Sequence, residues 1–363
     1  MSVNRRDLLT ASALLLGGPA LSLRLAAAPG SAPAVLCWNE NPYGPSPAAR
    51  RAVARSVAEG CRYPSVAEIE DLEHALARHE GTDVEHIVTG SGSGELLCAL
   101  GLVFGRDGGE FLAAEPTYLE LPEYAKNQGA STHFVPVDAQ LRHDLPAMRA
   151  AVGERTRAVY VCNPNNPTGT ALPAADIGAF VASLPAHVVT IVDEAYMDFT
   201  TGSGVRSVSE LVDGEHPVIV LRTFSKIHGM AGLRMGYAIA PPPLAKSLRQ
   251  ARMTFPNIFA VRAARASLDD QEFLTSTRRR ILASRTRITT ELARLNLHYA
   301  EPQGNFVFFD TGMPLATFSE RMQARQVLVG RRFPPYDSWC RITIGTEPEV
   351  ASFLKALRAS VAA

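Results

Sequence analysis

Short apolar runs alternate with segments of helical periodicity along most of the chain. This alternation predicts an α/β fold with a mainly parallel sheet. The predicted strands cover residues 86–89, 110–114, 131–137, 158–162, 188–192, 218–221, 235–239, 305–310 and 340–345. The predicted helices cover residues 48–59, 66–80, 95–104, 271–295, 315–325 and 348–359.

The size of the chain predicts two domains. Its 363 residues are 46% hydrophobic, enough for one large core and a smaller second one. Residues 36–47 are rich in proline and turn formers, which predicts an extended arm. A compositional break at 241–256 indicates a domain transition. We therefore expect residues 31–60 to join the small domain, with a large domain at 61–250 and a small C-terminal domain at 251–363.

Residues 1–30 have the pattern of an export signal. Arg5 and Arg6 precede an apolar stretch at 8–25, and an Ala-Ala-Ala-Pro-Gly segment follows. The adjacent arginines resemble a twin-arginine signal, which exports folded proteins and predicts a periplasmic location. Because Gly17-Gly18-Pro19 interrupts the stretch, we expect no stable membrane insertion after processing. The alternatives are an ordinary N-terminal helix on a cytoplasmic protein and an uncleaved anchor.

The charge and the cysteine and histidine content narrow the class of function. The formal net charge is zero, so no basic field is available for nucleic acid or an anionic membrane. None of the five cysteines forms a C-x-x-C pair, and the nine histidines form no H-E-x-x-H set. The sequence therefore predicts no metal site.

Lys226 is the strongest candidate for a reactive group. It follows the apolar run 218–221 in a turn that also carries Thr223, Ser225 and Arg234. Hydroxyls and a guanidinium beside a lysine amine suit a phosphate-bearing aldehyde, and pyridoxal phosphate is the obvious one.

The glycine-rich turn Gly90–Gly94 joins a predicted strand to a helix, where backbone N–H groups bind phosphate. A second interpretation is a dinucleotide fold, because Glu115 follows the next strand at about the distance of a ribose-binding carboxylate. That alternative predicts an NAD-dependent dehydrogenase.

Polar residues follow two further predicted strands. Asn166 comes after the strand at 158–162, and Asp193 and Tyr196 come after the strand at 188–192. Since ligands bind at the carboxyl ends of strands in open α/β sheets, these side chains and Lys226 are expected on one rim.

An ordered set of motifs from Leu36 to the C-terminus resembles the fold-type-I pyridoxal-phosphate aminotransferases of the histidinol-phosphate aminotransferase subgroup. The motifs are N-E-N-P-Y-G-P-S-P (39–47), R-Y-P (62–64), P-T-Y (116–118), C-N-P-N-N-P-T-G (162–169), V-D-E-A-Y (192–196), T-F-S-K (223–226), A-G-L-R-M-G (231–236) and C-R-I-T-I-G-T (340–346). The resemblance implies a seven-stranded, mainly parallel sheet between helices and a smaller α+β domain. It also implies an amino donor and a 2-oxo acid acceptor as substrates.

The resemblance implies a role for each matched residue. Lys226 attaches covalently to the cofactor and moves a proton, and Asp193 pairs with the ring nitrogen. Tyr196 and Asn166 bond the ring oxygen, and Tyr118 stacks on the ring. The phosphate is held by Ser91, Gly92, Ser225 and Arg234 with help from Thr223, and by Tyr63 of the other subunit of a homodimer. The substrate side is formed by Arg341 as a carboxylate clamp, Tyr43 and Asn305.

The sequence leaves two possibilities for the distal group of the substrate. A substrate phosphate needs a second cation, for which Arg331 or Arg332 is available, whereas Phe333, Tyr336 and Trp339 favour an aromatic or apolar side chain. Export also argues against a biosynthetic role in the cytoplasm. Racemases use the same lysine, and an exported binding protein that has lost its chemistry is a further alternative.

Overall fold

The computed structural model describes residues 32–361, so the predicted signal at 1–30 lies outside the described residues. The strands are β1 (Ala34–Val35), β2 (Ile87–Gly90), β3 (Glu110–Glu115), β4 (Ser131–Pro136), β5 (Thr156–Cys162), β6 (Val189–Asp193), β7 (Val218–Thr223), β8 (Gly236–Ile239), β9 (Phe306–Asp310), β10 (Val327–Leu328) and β11 (Trp339–Thr343). The α-helices are α1 (Pro47–Ser56), α2 (Val66–Glu80), α3 (Ser93–Gly105), α4 (Glu120–Asn127), α5 (Leu145–Ala151), α6 (Ala174–Ser183), α7 (Pro242–Ala251), α8 (Ile258–Leu268), α9 (Gln271–Arg294), α10 (Leu315–Gln323) and α11 (Glu347–Val361).

Seven strands form one sheet in the order β2-β8-β7-β6-β5-β3-β4. The pairs from β7 through β4 are parallel, and β8 runs antiparallel to both of its neighbours. Strands β6, β7 and β8 are almost wholly buried, as expected when helices cover both faces of a parallel sheet. The predicted fold class is confirmed.

A second core surrounds the antiparallel pair β9–β11 and the parallel pair β1–β10. Helices α10 and α11 contribute Phe318, Phe353 and Leu357 to it. Tyr196 and Ile227, which follow strands of the large sheet, belong to the same cluster. The segments after β6 and β7 therefore lie against the second core. The domain boundaries at 60 and 250 stay predictions.

Local sequence signals account for several boundaries. Ser65 and Glu68 form a reciprocal capping box at the start of α2, and Gly81 ends that helix in the left-handed conformation with φ 70°. The compositional break predicted at 241–256 is mostly helix α7, because prolines are tolerated in the first helical turn. None of the helices within residues 32–361 has the length and apolar content needed to cross a bilayer.

Candidate active site

Three adjacent parallel strands deliver the predicted polar residues to one edge of the sheet. The register pairs Cys162 at the end of β5 with Asp193 in β6, and Asp193 with Leu221 in β7. The turns that follow β5 and β7 carry Asn166 and Lys226. Parallel pairing thus brings residues that are far apart in sequence to one place.

Lys226 lies at the centre of this edge. Its Nζ donates a hydrogen bond to the Asn39 carbonyl oxygen at 3.1 Å and lies 5.3 Å from the centre of the Tyr196 ring. Burial, with the nearby Arg341 guanidinium, lowers the pKa of Lys226 to about 8. Near physiological pH the neutral, nucleophilic form of the amine is therefore a minority, but its fraction is far larger than in an ordinary lysine.

Asp193 is a buried carboxylate at the end of β6. Its Oδ2 accepts a hydrogen bond from the Tyr160 hydroxyl at 3.0 Å, and its Oδ1 accepts from the Ala195 N–H at 3.1 Å. Burial raises the pKa of Asp193 to about 6, while the Tyr160 bond acts in the opposite direction. A cationic partner at this position would hold the carboxylate in its ionised form.

Tyr196 and its neighbours form a hydrogen-bonded group beside the lysine. The Tyr196 hydroxyl accepts from Asn39 Nδ2 at 3.1 Å and from Asn166 Nδ2 at 3.5 Å. Its ring packs edge-on against Phe306, with the ring centres 4.9 Å apart. Burial raises the pKa of the Tyr196 phenol, so the phenol keeps its proton.

Arg341, on β11, faces the same group from the second core. Its Nη1 donates to Asn166 Oδ1 at 2.6 Å and its Nη2 to the Cys37 carbonyl oxygen at 2.8 Å. Its Nε is buried and has no hydrogen-bond partner among the described residues, and the same holds for Asn305 Oδ1. Asn305 Nδ2 donates to the carbonyl oxygens of Asn39 and Glu40. Buried polar atoms without partners mark a place where a polar ligand fits.

The glycine-rich turn lies beside Arg234. Gly92 has φ +87°, and a Cβ at this position would collide with the Arg234 guanidinium, so glycine permits the close approach. Arg234 Nη1 also donates to Ser225 Oγ at 3.4 Å, and the Ser225 N–H donates to Thr223 Oγ1 at 3.1 Å. Four of the predicted anion-binding positions, Gly92, Thr223, Ser225 and Arg234, therefore lie close together.

The two backbone N–H groups predicted to hold the phosphate have acceptors within this turn and the helix that follows it. The Ser91 N–H donates to Glu95 Oε2 at 2.6 Å, and the Gly92 N–H donates to the Gly90 carbonyl oxygen at 2.8 Å. The N–H groups of the first turn of α3, at Ser93 and Gly94, have no acceptor within a helix. A helix N-terminus of this kind offers further backbone donors to an anion.

Among the described residues, three of the predicted tyrosines form no hydrogen bond with Lys226, Asp193 or Arg341. The Tyr118 hydroxyl donates to Glu120 Oε2 at 2.6 Å, and its side chain is partly exposed. Tyr63 is 90% exposed. The Tyr43 ring packs against the Arg280 guanidinium at 3.9 Å, and its buried hydroxyl has no hydrogen-bond partner among the described residues. Within residues 32–361, the Tyr43 ring thus contacts α9 and not Arg341.

The two arginines available for a distal group have different surroundings. Arg332 Nε forms an exposed ion pair with Asp337 Oδ1 at 2.5 Å. Arg331 instead lies over the Phe333 ring at 4.4 Å from its centre. Burial lowers the pKa of Arg331, and the nearby Tyr118 phenol acts in the opposite direction. Of the two, Arg331 faces the site.

Two residues of the site were missed in the sequence. Asn39 binds Lys226 through its carbonyl oxygen and Tyr196 through its side chain, and its φ is +55°. Its place at the start of N-E-N-P could have singled it out. Tyr160 binds Asp193 from the neighbouring strand, and only the strand register reveals that contact.

The donor set fits pyridoxal phosphate. A lysine with a lowered pKa, a buried carboxylate and a helix N-terminus with an arginine match the aldehyde, ring nitrogen and phosphate of that group. Nothing in this set requires a redox dinucleotide.

Comparison with known proteins identifies the family. Residues 33–357 match the family model described as aminotransferase class I and II. The chain belongs to this family. The aminotransferase is 36% identical over 327 residues to histidinol-phosphate aminotransferase of Moorella thermoacetica, covering 89% of this chain and 84% of that protein. It is 38% identical over 323 residues to aromatic amino acid aminotransferase of Rhodococcus jostii, covering 88% of each chain.

A solved structure has the same fold. The aminotransferase superposes on histidinol-phosphate aminotransferase from Sinorhizobium meliloti in complex with pyridoxal-5'-phosphate with a TM-score of 0.85, at 29% identity, covering 92% of this chain and 91% of that one. The predictions of a transaminase and of a fold-type-I architecture are confirmed. Because the chain belongs to the aminotransferase family, the interpretation of the Gly90–Gly94 turn as part of an NAD-dependent dehydrogenase is wrong.

Proposed function

We propose that this pyridoxal-phosphate aminotransferase moves an amino group between an amino acid, or an amino-alcohol phosphate, and a 2-oxo acid. The observation that carries the proposal is the grouping of Lys226, Asp193, Tyr196 and Arg341 around one edge of the sheet. When bound, pyridoxal phosphate supplies an electron sink for the bond that breaks at the substrate Cα.

Each side chain around the cofactor has a separate role. With the cofactor bound, Lys226 would take the proton from the substrate Cα and return it to C4′ of the cofactor, a role for which a pKa near 8 is suited. Asp193 holds a proton on the ring nitrogen by its negative charge. Tyr196 and Asn166 orient the ring oxygen by hydrogen bonds.

Arg341 binds the carboxylate of the substrate. Its planar guanidinium can donate two parallel hydrogen bonds, which a lysine ammonium at the same place cannot do. Asn166 and Cys37 hold the guanidinium from the side. We expect Arg341→Lys to raise the KM of every carboxylate-bearing substrate by about tenfold or more.

Two classes of amino donor agree with the site. Arg331 supports a donor with a second anionic group, such as a phosphate. The cluster of Phe308, Phe333, Tyr336 and Trp339 supports an aromatic donor. The named relatives include both histidinol-phosphate and aromatic amino acid aminotransferases.

A donor panel tests the function. The purified holoenzyme is incubated with histidinol phosphate, aromatic amino acids and glutamate without an acceptor, and its spectrum is followed. We expect conversion to the pyridoxamine form with at least one donor. Racemisation of the donor without this conversion would contradict transamination.

We also propose that the enzyme is a homodimer in which Tyr63 completes the phosphate site of the partner subunit. Large exposed side chains support the proposal: Val57, Tyr63, Val66, Met253 and Phe255 are all at least 60% exposed. The segments that carry them adjoin where Phe259 packs against Gly60. Exposed apolar groups at this density mark a protein interface.

We propose further that residues 1–30 direct export of the folded enzyme to the periplasm. The paired arginines and the short apolar stretch support this. Export in the folded state would let the protein acquire its cofactor first. The test is the N-terminal sequence of the mature protein in a periplasmic fraction; a full-length cytoplasmic protein would contradict export.

A further inference from the structure

Phe333 links the two arginines of the substrate side. Its ring centre lies 4.4 Å from the guanidinium carbon of Arg331 and 5.0 Å from that of Arg341. Both cations therefore lie within 5.0 Å of one aromatic ring. Neither arginine forms an ion pair with a carboxylate among residues 32–361.

The two guanidinium groups are held in different ways. Arg341 is fixed by hydrogen bonds to Asn166 and Cys37. Within residues 32–361, Arg331 forms one hydrogen bond, from its Nη1 to the Arg332 carbonyl oxygen at 3.2 Å. The Phe333 ring is consequently the main contact that places the Arg331 guanidinium near the site, and an aromatic face attracts a cation.

Phe333 itself is well fixed. Its side chain is 5% exposed, it pairs with Tyr336 in an isolated bridge, and its ring packs edge-on against Phe308 at 6.1 Å. A ring held in this way can act as a rigid support. Two unpaired cations beside each other repel, and an anionic ligand relieves that repulsion.

We propose that Phe333 is a specificity-determining residue that positions Arg331 for the second carboxylate of a dicarboxylic amino or 2-oxo acid. The inference rests on the proposed function and adds to it the residue that sets the preference. Arg341 binds the α-carboxylate, and Arg331, held on the Phe333 ring, binds the distal one.

The test compares two matched donors in the holoenzyme. Glutamate and glutamine have nearly the same shape and differ in the charge of the distal group. The rate at which each donor converts the enzyme to the pyridoxamine form gives its kcat/KM. In Phe333→Leu we expect kcat/KM for glutamate to fall about tenfold, with glutamine changed less than about threefold. Phe333→Tyr keeps the aromatic face and should keep the preference.

A double-mutant cycle separates positioning from packing. Because Phe333 acts through Arg331, adding Phe333→Leu to Arg331→Gln should cause no further loss of glutamate preference. Calorimetric titration with succinate, an unreactive dicarboxylate, gives a readout independent of turnover, and its Kd should rise about tenfold in Phe333→Leu.

The outcomes are distinct. If the wild-type enzyme converts no donor, the proposed function fails. If it converts donors but shows no preference for glutamate over glutamine, the inference about Phe333 fails while the function stands. The inference about Phe333 would also be overturned if kcat/KM fell equally for both donors in Phe333→Leu, or if the losses of glutamate preference were additive in the double-mutant cycle.

Discussion

At the scale of single residues, burial determines the ionisation of the site. Burial lowers the pKa of Lys226 to about 8 and raises that of Asp193 to about 6. The two shifts have opposite signs for one reason, since burial disfavours the charged form of each group. The cofactor would restore the charge on Asp193 by placing a cation beside it.

Asp193→Asn removes that charge and keeps the shape of the side chain. We expect kcat to fall by roughly 10²–10³-fold, because the ring nitrogen loses its preorganised negative partner. The cofactor Kd should change much less, since Lys226 and the phosphate contacts stay. Steady-state kinetics and cofactor titration measure the two quantities, and normal turnover would exclude the role of Asp193.

The pKa of Lys226 predicts a pH dependence for cofactor capture. Only the neutral amine attacks an aldehyde, and the neutral fraction rises with pH, reaches one half at the pKa and approaches one about a unit above it. In cofactor-stripped enzyme, the rate of capture should rise through about pH 8 and level off above it. Stopped-flow absorbance checks this; a midpoint near the usual lysine pKa would show that the amine is not perturbed.

At the scale of elements, strand order explains the site. Strands β5, β6 and β7 are neighbours and parallel, so their carboxyl ends bring Asn166, Asp193 and Lys226 together. The strand at Phe306–Asp310 and its partner β11 bring Arg341 from the second core. The glycine-rich turn approaches the Arg234 guanidinium closely because Gly92 has no Cβ.

Gly92→Ala should therefore weaken cofactor binding. The added Cβ meets the Arg234 guanidinium, and φ +87° is strained for alanine. We expect the cofactor Kd to rise by about tenfold, which corresponds to ~1.4 kcal/mol. Gly232→Ala is the matched control, because no atom lies within 4 Å of its added Cβ. Equal effects of the two substitutions would contradict the account of the turn.

Much of the fold and of the candidate site could be predicted from the sequence. The features that could not be predicted depend on contacts between distant segments. Apolar runs located the strands, and the motif order located Lys226, Asp193 and Arg341. Two contacts could not be predicted, because each depends on side-chain conformations. They are the hydrogen bond from the Ser91 N–H to the Glu95 carboxylate and the packing of Tyr43 on Arg280. The contact between Tyr160 and Asp193 depends on strand register.

At the scale of the whole molecule, the exposed apolar side chains predict a dimer. Phe255→Glu places a charge in the proposed interface, where Phe255 is 63% exposed in the single chain. We expect light scattering to show a dimer for the wild type and a shift toward monomer, with loss of cofactor, for the variant. Tyr63→Phe should leave the dimer intact and weaken cofactor binding. A monomeric, fully active wild type would contradict the proposal.

The central claim is that the Lys226 amine binds the cofactor aldehyde covalently. The most direct test is borohydride reduction of the holoenzyme, followed by proteolysis and mass spectrometry of the peptide that contains Lys226. We predict that this peptide carries the mass of a reduced pyridoxyl phosphate group, and that Lys226→Ala protein carries none. An unmodified Lys226 after reduction in the presence of added pyridoxal phosphate would contradict the account.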